Sequence, residues 1–252
     1  MDSRLFNTLE SATPYCIAEI GTNHQGDLKK ASEMIAAAAE SGADCVKFQY
    51  VIADEIIHPK TGKVSLPGGD IPLYERFKQL ERNIEFYKSL KGYAGKQYID
   101  FLCTPFGLKS ASYLNEMNVQ AFKIASPELN HKPLISLVSS FGKFIILSTG
   151  VSKLQDIEAA VQLLKNDNCP AALLHCITAY PAPEEQYNLS ILRPLSTLFD
   201  LPVGVSDHSL DPILVPTLSV LQGGLFIEKH FTLNREGEGL DDTIAILPEQ
   251  FK

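Results

Sequence analysis

The sequence has 252 residues, 45% of them hydrophobic, and a formal net charge of -8 at pH 7. A chain of this size and composition buries a core of its own, which excludes a disordered protein and fits one α/β barrel or two smaller domains. The chain has no block of like charges, so we expect neither a nucleic acid nor an anionic membrane as its partner.

The cysteines and the first residues indicate the compartment. The five cysteines are odd in number, lack C-x-x-C spacing and mostly lie in apolar runs, which is typical of reduced thiols in the cytosol. No apolar run approaches the roughly 18 residues that span a bilayer, and MDSRLFNTLE lacks the basic and apolar regions of a signal peptide. We expect a cytoplasmic protein.

Eight short apolar runs follow one another along the chain, each of strand length. In chain order they are YCIAEI, CVKFQ, IDFLCT, AFKIAS, FIILST, AALLHCI, PVGVS and LFIEKHF. Several are continuously hydrophobic, as parallel strands are when helices cover both faces of their sheet. We therefore interpret the runs as eight parallel strands.

Helical patterns separate most of these runs. LKKASEMIAAAAESG has apolar and small residues at helical spacing up to Gly42, and SKLQDIEAAVQLLKN is predicted to begin with Ser152 as its N-cap. The predicted buried stripe of this second helix is Leu154, Ile157, Val161 and Leu164. The repeated alternation of strand and helix predicts an α/β fold, a (β/α)8 TIM barrel, as a single domain over residues 1–252.

Two parts of the chain depart from this alternation. Residues 51–73 form a long excursion with Gly and Pro, and an excursion of this length is more often a working loop than a packing element. After LFIEKHF only 21 residues remain, so we expect the eighth helix to be truncated or missing. We expect the N-terminal SRLFNTLESA to cover that flank.

Polar residues stand where the predicted strands end, which is where parallel barrels carry their sites. They are Glu19 and Asn23, Lys47 and Gln49, Thr104, Lys123 with Ser126 and Glu128, Ser148, His175, Ser206 and His208, and Glu228 and His230. Side chains alternate in direction along a strand, so residues two apart share a face. The sequence therefore predicts that most of these side chains meet at one mouth of the barrel.

Two histidines are the candidate metal ligands. A lone strand histidine is more often structural than a ligand. The joint placement of His208 and His230 at the ends of adjacent strands, each with room for an open coordination position, favours a divalent ion used in catalysis. The other candidates, His24, His58 and His175, are weaker.

Lys47 and Lys123 have two functional interpretations. Either could form the Schiff base of an aldolase, or both could hold a phosphate or carboxylate. The hydroxyls of Thr104, Ser126, Ser148 and Ser206 at neighbouring strand ends favour an anion cradle. The run SDH does not make a serine hydrolase triad, because adjacent strand residues point in opposite directions.

The chain carries, in order, the motifs IAEIGTNHQG, VKFQ, CTPF, FKIASPE, IILSTG, LLHCITAYPAP, GVSDHSLD and IEKHFT. In these motifs it resembles the N-acetylneuraminate (sialic acid) synthase family, whose relatives also make legionaminic and pseudaminic acids and a spore-coat polysaccharide precursor. The resemblance extends from about Tyr15 to Phe251. Eight ordered motifs are specific for the family and not for the sugar that the enzyme uses.

The resemblance implies a C–C bond-forming transferase that condenses phosphoenolpyruvate with an open-chain N-acetylated amino sugar such as N-acetylmannosamine. Water is consumed, and the products are a nonulosonic (sialic-type) acid and inorganic phosphate. The family uses Mn or Mg, whose two ligands match His208 and His230, and a homodimer is expected. Family members usually add a small antifreeze-like C-terminal domain, which we expect to be absent here, with weak turnover as the result.

The resemblance also implies residue roles. The catalytic glutamate matches Glu128, and two further carboxylates, Glu19 and Asp241, match residues at the sugar, as do Gln49 and Tyr180. The phosphoenolpyruvate pocket matches Lys47, Thr104, Lys123, Ser126, Ser148, Thr178 and Ser206. Many members have asparagine in place of Thr178. Two alternatives stay open: a Schiff-base aldolase that uses Lys123 or Lys47, and a non-catalytic barrel that binds a metabolite.

Overall fold

The structure is a computed structural model that describes residues 4–66 and 69–252. Its strands are β1 Tyr15–Gly21, β2 Cys45–Gln49, β3 Lys63–Leu66, β4 Gly69–Pro72, β5 Asp100–Thr104, β6 Ala121–Ile124, β7 Phe144–Ser148, β8 Ala171–Cys176, β9 Val203–Asp207 and β10 Phe226–His230. Each of the eight apolar runs forms one parallel strand, and β3 pairs with β4 in a separate antiparallel hairpin.

The eight parallel strands form a nearly closed barrel. Their hydrogen-bonded order is β5-β2-β1-β10-β9-β8-β7-β6, and the two end strands, β5 and β6, lie against each other. The predicted α/β fold of the (β/α)8 TIM-barrel type is confirmed. Because all eight strands are parallel, their carboxyl ends open at the same mouth.

Helices surround the barrel. They are α1 Arg4–Ser11, α2 Leu28–Glu40, α3 Ala53–Ile56, α4 Leu73–Leu80, α5 Ile84–Lys96, α6 Leu108–Glu116, α7 Lys132–Ser139, α8 Leu154–Asn166, α9 Leu192–Phe199, α10 Leu214–Leu221 and α11 Pro248–Phe251. Short 3-10 segments cover Ser126–Asn130, Glu184–Gln186, Leu189–Ile191 and Asp242–Ile244. None of the helices in the described part of the chain combines the length and the apolar character needed to cross a membrane.

The predicted start of α8 is wrong. The N-cap is Lys153, whose N–H donates to the carboxylate of Asp156 at 2.9 Å, whereas the hydroxyl of Ser152 donates to the carbonyl oxygen of Gly150. Leu154, predicted to be buried, is 55% exposed because it lies at the solvated first turn. The other three residues of the stripe are buried as predicted.

Helix α1 closes the amino end of the barrel and does not cover the flank of the eighth helix as expected. Leu5 is buried in a cluster of strand residues that includes Tyr15 and Phe226. Its N–H donates to the carboxylate of Asp100 at 3.3 Å, at the start of β5. Leu5 is only 1% exposed there, so burial of its apolar side chain stabilises the helix at the amino end of the barrel. Ser3, part of the expected segment, lies outside the described residues.

The eighth helical position holds only a short element, as predicted for a truncated helix. After β10 the chain forms a bridge between Phe231 and Ile246 and then the four residues of α11. The ring of Phe251 packs edge-on against the ring of Phe231, with centroids 5.7 Å apart, and α11 contacts α2.

The excursion at residues 51–73 is folded into α3 and the hairpin, apart from residues 67 and 68, which lie outside the described residues. The carboxylate of Glu55 binds the N–H groups of Lys109 and Ser110 at 2.7 and 3.0 Å, so the excursion is fastened to the start of α6. Helix α4 follows directly and places Leu73 and Phe77 in the wall of a cavity at the carboxyl mouth.

Candidate active site

The register of the strands brings the predicted site residues of β1, β2, β5 and β10 level with one another. Glu19 stands opposite Lys47 on one side and His230 on the other. Gln49 stands opposite Thr104 across the β2–β5 ladder. These pairs lie near the carboxyl ends of the strands. Their inward-pointing side chains therefore share the carboxyl mouth of the barrel.

Lys47 is the cation at the centre of the site, and its side chain is only 5% exposed. Its Nζ lies 2.8 Å from Glu19 Oε2, 3.6 Å from Glu228 Oε2 and 3.4 Å from the hydroxyl of Thr104. Burial lowers the pKa of Lys47, but the carboxylates of Glu19 and Glu228 outweigh burial and hold that pKa above its ordinary value. The ammonium group is therefore charged at neutral pH.

Lys123 is the second buried cation. Its Nζ donates to Ser148 Oγ at 2.6 Å and lies 3.7 Å from Glu228 Oε1. Burial lowers its pKa below the ordinary value, while Glu228 opposes that shift. Burial alone would raise the pKa of Glu228, but Lys123 and Lys47 outweigh burial and bring it to about 2. Glu228 also accepts a hydrogen bond from Ser206 Oγ at 2.8 Å.

Three predicted sugar contacts surround Gly21, which has φ +55. A Cβ on this glycine would lie 3.3 Å from Asp241 Oδ2, Gln49 Nε2 and Glu19 Oε1 alike. Gln49 donates to Glu19 Oε1 at 3.3 Å. Burial raises the pKa of Glu19 to about 7 despite Lys47, and burial raises the pKa of Asp241 to about 6.

Predicted phosphate contacts surround a second glycine, Gly150, directly after β7. Its N–H donates to Ser126 Oγ at 3.0 Å. A Cβ on Gly150 would collide with Thr178 Oγ1 and with Ser126 Oγ, and would lie 3.2 Å from Cys176 Sγ. Only glycine leaves these hydroxyls room to face the same space.

His208 and His230 lie side by side, with ring centroids 5.3 Å apart. The Nδ1 of His208 is 2.9 Å from the carbonyl oxygen of Ile177, so this nitrogen is assigned as the donor and Nε2 carries the lone pair. The ring of Tyr180 stacks on His208 with centroids 4.3 Å apart. Burial lowers the pKa of both histidines to about 4, so both rings are neutral at neutral pH.

These side chains fit a divalent ion. The Nδ1 of His230 is buried without a hydrogen-bond partner and lies 3.8 Å from Asp241 Oδ2. The only contact described for His208 Nε2 within 3.5 Å is the hydroxyl of Tyr180. Among the residues that the structure describes, no group of three or more His, Cys, Asp or Glu forms a complete metal site. Water or substrate would have to complete the coordination, as in open catalytic sites.

Glu128 lies in the 3-10 segment that follows β6. Its Oε2 is buried without a partner. Burial raises its pKa to about 7, with the ammonium of Lys123 acting in the opposite direction. The carboxyl group is thus poised to exchange a proton near neutral pH, and its catalytic role stays a prediction.

One cavity of about 300 Å³ joins part of the predicted site to an apolar wall. Predicted residues that line it are Lys47, Gln49, Thr104, Tyr180 and Asp241. Apart from Thr243, the other lining residues are apolar and form the apolar wall: Leu73, Phe77, Phe106, Ala125, Pro127, Leu240 and Ile244.

The weaker histidine candidates lie outside this site. His24 is packed against Phe48 and Phe86, and its Nδ1 accepts the N–H of Gly26. His175 contacts the carbonyl oxygen of Tyr187 through Nε2, and His58 is exposed in the excursion.

Several residues next to the site have structural roles. Asn23 accepts the N–H of Asp241 at 3.2 Å and so fixes the loop that carries this carboxylate. Asp207 forms a buried ion pair with Lys229 at 2.6 Å, away from Ser206, which bonds Glu228. The SDH run therefore forms no triad, as predicted.

Glu228 lies at a predicted strand end and had no predicted role, although its spacing of two from His230 is a usable signal. The apolar wall had no local signal, because α4 reaches the mouth only through the folding of the excursion.

The sequence profile of the NeuB family matches residues 34–252. The chain belongs to the NeuB family. The predicted sialic acid synthase resemblance is thereby confirmed, and with it a family of enzymes that form a C–C bond.

Individual relatives agree with this NeuB assignment. An N,N'-diacetyllegionaminic acid synthase from Campylobacter jejuni is 39% identical over 94% of this chain and 72% of its own length. An uncharacterized protein from Methanocaldococcus jannaschii is 44% identical over 94% of this chain and 68% of its own length. The crystal structure of an N-acetylneuraminic acid synthetase from Leptospira borgpetersenii, in complex with citrate, has a TM-score of 0.88 and 33% identity over 95% of this chain and 80% of that chain.

Proposed function

We propose that this NeuB chain condenses phosphoenolpyruvate with an open-chain N-acetylated amino sugar and water, giving a nonulosonic acid and inorganic phosphate. The observation that carries the proposal is the pair of buried ammonium groups, Lys47 and Lys123, with hydroxyls beside them and two neutral imidazoles at the same mouth. A trianionic substrate needs this concentration of cations and donors in a site with little water.

The lysines and hydroxyls bind phosphoenolpyruvate. Lys47 with Thr104, and Lys123 with Ser148, already form donor pairs in the mouth. Ser126 and Thr178 face the space beside Gly150, which supports a phosphate contact there. In the free protein the carboxylate of Glu228 compensates the positive charges of both lysines. A bound anionic substrate would compensate part of that positive charge instead.

The bond-forming step joins carbon 3 of phosphoenolpyruvate to the aldehyde carbon of the sugar. The aldehyde oxygen gains a proton and becomes a hydroxyl, for which Glu19 or Asp241, with pKa values raised to about 7 and about 6, are suitable donors. A bound Mn or Mg ion, held by His208 and His230, would supply Lewis-acid polarisation of the aldehyde.

The second half of the reaction releases phosphate. Water adds at carbon 2, and the carboxylate of Glu128 accepts the proton of that water. The C–O bond between carbon 2 and the phosphate then breaks while the hydroxyl on carbon 2 gives its proton to the departing phosphate, which leaves the 2-keto acid and inorganic phosphate. Lys123, a charged neighbour of Glu128, offsets the negative charge on the departing phosphate.

The aldolase alternative rests on one observation, the lowered pKa of Lys123, which is typical of Schiff-base lysines. Borohydride reduction in the presence of pyruvate separates the two activities. The synthase proposal predicts no covalent adduct at Lys123 or Lys47, and phosphate release that requires both an amino sugar and Mn. Phosphate release without a sugar, or a trapped lysine adduct, would contradict it.

The expected homodimer is part of the proposal. Analytical ultracentrifugation of the chain at micromolar concentration measures its oligomeric state. The sedimentation coefficient of a monomer would contradict the proposed homodimer.

A further inference from the structure

A second cavity, of about 300 Å³, lies between the end of β2 and the helices α5 and α6. Three segments line it: residues 50–52 after β2, residues 81–84 at the start of α5, and Lys109 with Tyr113 on α6. We call it the tyrosine cavity. None of these lining residues belongs to the cavity at the carboxyl mouth, and the proposed function gives them no role.

Tyr50 is the buried polar residue of the tyrosine cavity. It is 1% exposed, and its ring stacks on that of Tyr87 with centroids 4.1 Å apart. The hydroxyl of Tyr87 bonds the backbone of Val51 and Gln49, whereas that of Tyr50 has no hydrogen-bond partner among the residues that the structure describes. Burial raises the pKa of Tyr50, so the hydroxyl keeps its proton at neutral pH. It is therefore a free donor, which is unusual for a buried phenol.

The hydroxyl of Tyr50 opens onto this cavity. It is not one of the fully enclosed polar atoms without a partner, and the residue lines the tyrosine cavity. The ring of Tyr113 lies beside it, with ring centroids 5.7 Å apart. An acceptor group of a ligand would satisfy this hydroxyl, and such a hydrogen bond is strongest when the acceptor is charged.

Two cations line the same cavity. The Nζ of Lys109, at the exposed rim, lies 5.8 Å from the centroid of the Tyr113 ring. Arg82 is half-buried and donates to three backbone carbonyl oxygens, one of them that of Gly26. Within residues 4–66 and 69–252, neither cation forms an ion pair with a carboxylate. Carbonyl oxygens orient a guanidinium group but carry no net charge to compensate it.

The carboxylates near the cavity are engaged elsewhere. The Oε1 of Glu81 accepts the N–H of Ala53 at 2.8 Å and lies 3.0 Å from the Nζ of Lys78. The carboxylate of Glu55 binds two N–H groups at the start of α6. The two cations of the cavity therefore attract an anion, although the chain as a whole has a net charge of -8.

We propose that the tyrosine cavity binds a phosphate monoester whose alcohol part is flat or apolar. A phosphate monoester carries nearly two negative charges at neutral pH, which matches two cations and a phenol donor. Its alcohol part would contact the ring of Tyr113 and the side chains of Ile52 and Ile84. A volume of about 300 Å³ is at the lower end of the range for small-molecule sites. This site does not depend on the proposed function.

Calorimetric titration of the full chain with phenyl phosphate tests the proposal. Inorganic phosphate lacks the apolar part of this probe, and phenol lacks its charge. We expect saturable binding of phenyl phosphate that is at least about 10-fold tighter than that of either fragment. Binding no tighter than that of a fragment, or no binding at all, would overturn the proposal.

Variants locate the bound anion. Tyr50→Phe and Lys109→Met are each expected to weaken the binding of phenyl phosphate by about 10-fold or more. The matched control is Lys165→Met on α8, an exposed lysine away from this cavity, which is expected to keep the Kd. Binding that is lost in Lys47→Met and retained in both cavity variants would place the anion at the carboxyl mouth and overturn the proposal.

Thermal unfolding separates a ligand contact from a structural role of Tyr50. Without ligand, Tyr50→Phe is expected to unfold at the Tm of the parent, because its hydroxyl has no partner to lose. With phenyl phosphate, the Tm of the parent is expected to rise more than that of the variant. An unliganded variant whose Tm is lower by more than about 4 °C would reveal the loss of a structural hydrogen bond and contradict the assignment.

Discussion

The ammonium of Lys47 lies 2.8 Å from the carboxylate of Glu19, and this contact joins the two halves of the site. Glu19 belongs to the group around Gly21 that is proposed to contact the sugar, and Lys47 contacts Glu228, which also lies close to Lys123. A change of charge in one half of the site therefore alters the electrostatic environment of the other half.

Lys47→Met is expected to raise the KM for phosphoenolpyruvate and to lower kcat/KM by about 100-fold or more, because a buried charge-assisted contact to the substrate is lost. Steady-state phosphate release measures the effect. The matched control is Lys88→Met, since Lys88 lies on the surface with Glu85 and contributes little. A KM within about 2-fold of the parent would show that Lys47 does not hold the substrate.

Gly150→Ala is expected to weaken phosphoenolpyruvate binding by about 10-fold or more, because the added methyl group would push Ser126 and Thr178 out of the shared space. Calorimetric titration of the chain with phosphoenolpyruvate gives the Kd. The control is Gly92→Ala in α5, where nothing lies within 4 Å of the added carbon. This control is expected to keep the Kd and to raise stability slightly.

Removal of either histidine is expected to weaken Mn binding by about 100-fold or more. Equilibrium dialysis of His208→Ala and His230→Ala with Mn measures the Kd without any need for turnover. His58→Ala, at an exposed position in the excursion, is the control. Mn binding by the double variant with the affinity of the parent would exclude the two histidines as ligands.

The pKa of Glu128, raised to about 7 by burial, predicts the acid limb of the pH profile. The carboxyl must be ionised to accept a proton, so kcat/KM for phosphoenolpyruvate is expected to fall as the pH drops through about 7. Glu128→Gln is expected to lower kcat by about 100-fold or more above pH 7 and to remove this acid limb, so the difference from the parent shrinks as the pH falls. An activity of Glu128→Gln close to that of the parent would assign the base to another group.

The same shift predicts a pH-dependent stability. A carboxyl whose pKa is raised from 4.5 to about 7 binds its proton more tightly in the folded state, so its charge destabilises the fold increasingly as pH rises from about 4.5 to 7. Glu128→Gln is thus expected to be more stable than the parent by about 1–3 kcal/mol at pH 8 and equally stable at pH 4. Thermal unfolding at the two pH values measures the difference, and equal stabilisation at both would contradict the assigned shift.

The strands and the mouth could be predicted from sequence because both depend on local rules. Eight apolar runs became eight strands, and the alternation of side chains within a strand placed Lys47 and Gln49 on one face. Parallel pairing then brought distant strand ends together without any knowledge of the packing.

Elements governed by tertiary contact were predicted less well. Helix α1 covers the amino end of the barrel because Leu5 fills the gap between strand residues there, and no local pattern specifies that gap. The start of α8 depends on Asp156, whose carboxylate accepts the N–H of Lys153 at 2.9 Å, and helical spacing alone does not specify this contact. The apolar wall depends on the folded excursion, whose hairpin had no recognised signal.

The most direct test of the account is a crystal structure of the chain grown with Mn and phosphoenolpyruvate. We expect the phosphate beside Ser126 and Thr178, the lysines on the anionic groups of phosphoenolpyruvate, and one Mn ion held by His208 and His230. Phosphoenolpyruvate bound away from both lysines, or Mn bound away from both histidines, would contradict it.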